Sequence, residues 1–243
     1  MKNQMTTRSK MLIASMVAVA FISIIGIRTT AQISGPQEPA ANDYREVRDA
    51  LRRGGIREAA KLKGHYVGEW DAHWDMGLFN IEALTKNSMA VVLGTVVEKV
   101  GGRLPEGGQL IFTDYEVVVD ETIKGGLASG SVITIEIPGG SVEFDDGTSA
   151  EQKTPGFEHV KPGGVYTLFL TEGAKGSNLY KLTGGPQGLV EIMSDGTLKS
   201  HGRPTDPIAL EAKDPIKGKN KDAFLNEVRK NAVKWPEPGK CCS

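Results

Sequence analysis

Cysteine is nearly absent from this chain. Its 243 residues hold two, Cys241 and Cys242, adjacent and one residue from the end. No disulfide can therefore staple the body of the protein, and no thiol in that body can serve as a nucleophile beside a histidine. A bond between the two neighbours would be strained, since Cα atoms about 3.8 Å apart fall short of the usual disulfide span. Pairing between molecules, metal capture and free thiols in a loose tail all remain open for them. Catalytic signatures are missing too. There is no Gly-x-Ser-x-Gly, no Gly-x-x-x-x-Gly-Lys-Ser/Thr, no Gly-x-Gly-x-x-Gly and no His-Glu-x-x-His. An excess of positive charge is also lacking.

One long apolar run is present. Lys2, Arg8 and Lys10 precede Met11 to Ile27, and Thr29-Thr30-Ala31 supplies small residues for cleavage. This is the layout of a secretory signal peptide over 1–31, cut after Ala31, with the mature protein secreted or periplasmic. The alternative is an uncleaved anchor, the one way this reading brings in a membrane. Residues 1–31 hold four basic side chains and no acidic ones, so the remainder carries 25 basic against 30 acidic, a net of −5. That balance argues against nucleic acid as a partner, because such proteins carry a basic stripe.

Residues 32–42 read as a linker and 43–78 as a helical arm. Asp43 and Glu46 have capping-box spacing, and Gly54-Gly55 should stop the first helix. From residue 79 to 203 the pattern becomes that of short strands: 89–97, 113–122, 132–137, 165–170, 179–183, 189–193 and 197–200. Tyr115, Val117 and Val119 alternate with Asp114, Glu116 and Asp120, and Ile133, Ile135 and Ile137 alternate with Thr134 and Glu136. Residues 101–108 read as a glycine-rich turn and 141–164 as a long acidic loop. The segment 204–243 reads as a linker, a helix near 222–233 packing through Phe224, Leu225 and Val228, and the Cys-Cys tail. The expected fold is mostly β: a small OB-like barrel or sandwich of about six or seven strands, flanked by N- and C-terminal helices.

The order IEALTKNSMAVVLGTVV, TDYEVVVDETIKGG, SVITIEIPGG, PGGVYTLFL, LYKLTGGPQGLVEI over residues 81–192 resembles a group of secreted bacterial β-domains with no established activity. It is also similar to the OB-like barrel of netrin-like domains and tissue inhibitors of metalloproteinases. Those domains begin with a zinc-chelating cysteine and are laced by disulfides. This chain has neither, so the resemblance implies a fold and not protease inhibition.

The densest chemistry is HYVGEWDAHWDM, residues 65–76. On a helix His65 and His73 would lie about 12 Å apart along the axis, and on a strand about 26 Å. One zinc with bonds near 2 Å cannot take both, which leaves Glu69 and His73 as the candidate metal ligands. The plain alternative is a packing arm in which Trp70 and Trp74 cover the β-domain. Asp145 and Asp146, with Glu143 and Glu151, could attract Ca²⁺, though EF-hand spacing is missing. Gly184, Gly185, Gln187 and Gly188 form an unusual turn that reads either as a ligand contact or as a strand kink. No cofactor is expected. The reading is a secreted, non-enzymatic binding or envelope-associated module whose partner is a protein or a surface polymer. The alternative is a metal-dependent hydrolase built on residues 65–75. Mass spectrometry of the exported protein should find its first residue to be Gln32; retention of 1–31 would point to the anchor.

Overall fold

The computed structural model describes residues 41–70, 80–105, 108–157, 160–173, 176–201 and 216–236. The expected signal segment 1–31, His73, Trp74, His159, residues 204–215 and Cys241-Cys242 lie outside these residues, as does the expected 32–42 linker except for Ala41 and Asn42, which belong to the first helix. Three helices are present: α1 (Ala41–Lys63), α2 (Ile81–Asn87) and α3 (Lys221–Lys234). Ten strands accompany them: β1 (His65–Glu69), β2 (Ala90–Arg103), β3 (Phe112–Lys124), β4 (Val132–Pro138), β5 (Gly140–Glu143), β6 (Ser149–Lys153), β7 (Val165–Glu172), β8 (Leu179–Leu182), β9 (Leu189–Ile192) and β10 (Leu198–Ser200). Among the described residues no helix is long and apolar enough to cross a membrane.

The seven strands expected from the sequence make one mixed sheet in the order β10-β9-β7-β2-β3-β4-β8. β8 pairs with β4 in parallel and with β7 antiparallel. The strands β7, β2, β3, β4 and β8 thus follow one another in a cycle of pairings. Their inward side chains form an inner core that includes Val92, Val96, Tyr115, Val117, Ile133, Ile135, Tyr166, Leu168 and Tyr180. The alternation read from β3 and β4 is borne out: Val117, Val119, Ile133 and Ile135 are all buried. Burying each such side chain contributes roughly 1.5–3 kcal/mol before chain entropy is set against it.

An outer core covers the other side of β2 and β7. Val91 and Phe169 meet Ile81 and Leu84 of α2, together with Phe224, Leu225 and Val228 of α3. Asn80 caps α2 by accepting from the Ala83 N–H at 2.6 Å, and Asn220 caps α3 through Ala223 at 2.9 Å. The C-terminal end of α2 is closed by a buried lysine. Lys124 of β3 donates to the carbonyls of Thr85 and Ser88, each at 2.7 Å. Those carbonyls need donors at a helix end, and a cation suits the negative end of the helix dipole.

Three sequence readings are corrected. Residues 65–69 are not part of a helical arm but strand β1. Residues 141–164 are not one long loop, because they contain the β5–β6 hairpin. Residues 101–103 do not turn, since β2 runs on to Arg103. β1, β6 and β5 form a second sheet, with β1 parallel to β6 and β5 antiparallel to it. Its inner face and α1 bury Ile56, Ile111 and Ala150, flanked by Leu51, Tyr66, Val142 and Phe144. α1 breaks at Gly54-Gly55, as read from the sequence, and Gly55 takes a φ of 72°. A side chain at Gly55 would strike the Gly108 backbone, and the neighbouring Ile56 N–H donates to the Gly108 carbonyl at 2.7 Å.

The two sheets meet where β2 passes β5. A Cβ on Gly102 would fall on the Ser141 carbonyl oxygen. Backbone cannot swing aside as a flexible side chain can, so Gly102→Ala should cost about 1–3 kcal/mol. Amide hydrogen exchange should accelerate in 140–153 more than in β2, β3 and β7. Unchanged exchange in the hairpin would show that the two sheets are held together elsewhere.

Candidate functional site

β2 outruns its neighbour. β7 pairs with it only over Ala90 to Thr95, while β3 follows it to Arg103. The free flank of its second half therefore faces the three-stranded sheet, and a groove opens between them. The groove consists of two adjoining cavities of about 540 and 470 Å³. Lys99, Ser141 and Glu151 line both. The larger reaches down to Tyr115, Ile137, Phe157 and Val160, which belong to the inner core. The smaller is bounded by His65, Gly101, Gly102, Glu143 and Ser149.

Register explains why polar groups gather there. Across the small sheet His65 sits opposite Ser149, and Ser149 opposite Glu143. Two residues along β6, Glu151 sits opposite Ser141, and two further comes Lys153. Alternation along each strand points this whole set to the groove side, while Tyr66, Val142 and Ala150 point to α1. His65 Nδ1 and Ser149 Oγ are 2.7 Å apart.

Most charges near this region are engaged elsewhere. Arg57 of α1 pairs with Asp145 and stacks on Phe144. Asp146 accepts from the hydroxyl and the N–H of Thr148, which lowers its pKa, with Arg57 and Lys61 adding to the effect. Arg103 binds Asp114 at 2.7 Å and also Glu136, and Glu136 is met by Lys181 at 3.0 Å. Burial opposes the Arg103 charge, but the two carboxylates outweigh it and raise its pKa. In the groove, by contrast, Lys99, Lys153, Glu143 and Glu151 have no ion pair or side-chain hydrogen bond among the described residues. Thr154, 4% exposed, lines the larger cavity and its buried hydroxyl has no partner either. Burial raises the pKa of Tyr115, so its hydroxyl stays neutral.

The residues singled out from the sequence are scattered. Glu69 and His65 occupy opposite ends of β1, about 13 Å apart at strand spacing. His73 lies outside the described residues, so the Glu69–His73 pair has no geometry to report. Asp145 and Asp146 are spent on Arg57 and Thr148. Among the described residues no three His, Cys, Asp or Glu side chains gather to hold a metal ion. Gly184 takes a left-handed φ of 70°, and Gly185–Gly188 form a buried 3-10 turn. Gln187 is enclosed with its Oε1 unpartnered, and none of these residues lines the groove. Lys99, Ser141, Lys153 and Thr154 were not singled out, and Glu151 entered only as part of an acidic loop. The period-two placement of Glu151 and Lys153 was the available signal, but SAEQK lacks the apolar alternation that marks a strand.

A second polar cluster lies away from the groove. Buried Glu191 of β9 is met by His201 at 3.2 Å, Lys199 at 3.8 Å and Lys161 at 4.0 Å. The Tyr166 ring lies 6.0 Å from that of His201. Burial, and secondarily the Glu191 charge, push the Tyr166 phenol up to about 12. Compared with known proteins, the chain matches no family model and no curated sequence.

The unfolded chain releases a tyrosine proton near pH 10 and folded Tyr166 near 12. The fold should therefore keep this contribution below about pH 10 and lose it as pH rises toward 12. Urea midpoints measured across that window should fall, and Tyr166→Phe should flatten the fall, leaving the smaller share due to Tyr66 and Tyr115. An equally steep fall in the variant would refute the assignment.

Proposed function

We propose that this protein is an exported, non-enzymatic binding module built on an OB-like barrel, with its ligand seat in the groove between the barrel end and the three-stranded sheet. The cycle β2-β3-β4-β8-β7, with only β4 and β8 parallel, supports the OB-like reading. So does its similarity to the netrin-like strand order. Barrels of this kind take extended ligands on the face of their second and third strands and on adjoining loops. Here the corresponding outer face, on β3 and β4, carries Asp114, Glu116, Asp120 and Glu136, partly neutralised by Arg103 and Lys181. Such a face repels nucleic acid. The loop after β2 is taken up by α1 through the Ile56 to Gly108 hydrogen bond.

One observation carries the reading. A concavity floored by inner-core side chains opens below a rim of unpaired charges. Binding pockets typically combine apolar walls with a few polar groups. The ligand on this reading is a segment of a partner protein or the end of a surface polymer.

Amide chemical-shift mapping with short peptides, chito-oligosaccharides and small carboxylates tests it. Perturbed amides should cluster at 99–102, 113–115, 137–141 and 151–154. Lys99→Glu should weaken the best binder at least tenfold, about 1.4 kcal/mol. Perturbations confined to the outer face of β3 and β4 would overturn the assignment.

A further inference from the structure

The free charges of the groove, Lys99 and Lys153 against Glu151 and Glu143, are not of one sign, and that narrows the ligand. Glu151 and Lys153 stand two residues apart on one face of β6, about 7 Å by strand rise. Lys99 of β2 lines the same cavity from the opposite wall. An anionic ligand would satisfy the lysines but bring its charge toward the glutamates. A cationic ligand would do the reverse. A ligand with one positive and one negative end, held apart by about one residue, matches both signs.

The cavity between these charges adds a second requirement. Its floor is Tyr115, Ile137, Phe157 and Val160, and its volume of about 540 Å³ lies within the range of small-ligand pockets. It has room for one large apolar side chain together with some main chain.

On the reading that this groove is the ligand seat, we propose that it binds short peptides with both ends free. Glu151 receives the ammonium, and Lys153 and Lys99 receive the carboxylate. The apolar side chain fills the end of the inner core. Dipeptides fit best, because one trans peptide sets its Cα atoms about 3.8 Å apart and their charged ends can reach a Glu-Lys pair about 7 Å apart. Longer peptides must carry one end out of the groove.

The test is calorimetric titration of the exported chain with Leu-Phe, its N-acetyl form and its C-terminal amide, alongside amide shift mapping. Leu-Phe should bind at the groove, and either block should weaken it at least tenfold. Glu151→Gln should remove the preference for the free ammonium, and Lys153→Met the preference for the free carboxylate. Glu151 and Lys153 form no ion pair or side-chain hydrogen bond among the described residues, so circular dichroism and thermal midpoint should stay as in the parent. Equal binding of blocked and free dipeptides would overturn the proposal. A chito-oligosaccharide or simple carboxylate that moves the groove amides while Leu-Phe does not would overturn it and leave the groove as ligand seat. No groove response to any of these probes would overturn both readings.

Discussion

At Gly102 the backbone of β2 runs beneath the Ser141 carbonyl of β5 with no side chain between them. Nearby, Gly140 takes a φ of 115°, and a Cβ there would collide with the Thr113 hydroxyl. Two strands from different sheets can approach this closely only where side chains are missing. The contact fixes the three-stranded sheet against the far half of β2. It also fixes the groove, because the walls on either side of that contact are the two sheets themselves. α1 braces the arrangement from behind: Ile56 packs with Ile111 and Ala150, and Arg57 holds the Asp145 turn. A glycine pair, one apolar cluster and one ion pair thus hold the small sheet in place.

The sequence made the large sheet legible and hid the small one, and the reason is physical. Strands that line the inner core carry β-branched residues at every second position, as in VITIEI, and that period is visible without any partner. β1, β5 and β6 bury only one shallow face. Their inward residues are Tyr66, Val142, Ala150 and Gln152, mixed with glycine, glutamate and lysine. SAEQK even has the composition of a helix. It is a strand because β1 and β5 flank it and Gln152 is enclosed, its side-chain oxygen accepting the buried Ile111 N–H at 2.8 Å. Tertiary context overrode local preference there. The candidate site was illegible for the same reason, since its rim comes from β2, β5 and β6 and two of those three were not read as strands.

The distribution of charge separates scaffold from site. On the outer face of β3 and β4, Arg103 ties three strands together through Asp114 and Glu136, and Lys181 extends the chain to β8. Glu191 gathers His201, Lys199 and Lys161 around one buried carboxylate. These groups have already exchanged water for protein partners. Lys99, Glu143, Glu151 and Lys153 have not, though they line an apolar opening. Their solvation can still be traded for an incoming partner, and this distinguishes a surface able to bind from one already committed.

The outer core joins α2, which precedes the large sheet, to α3, which follows it. Ile81 and Leu84 of α2 lie against Val91 and Phe169, but Phe224, Leu225 and Val228 of α3 complete the cluster. Arg229 clasps Glu121 of β3 with two contacts at 2.9 Å, and Lys234 reaches Glu82 at 2.5 Å. Lys124 already holds α2 in register, so α3 closes over a prepared surface. During synthesis these residues emerge after all ten strands. Until they do, Phe169 and Val91 have only the α2 half of their cover. Truncation before residue 224 leaves that apolar surface half open to other chains.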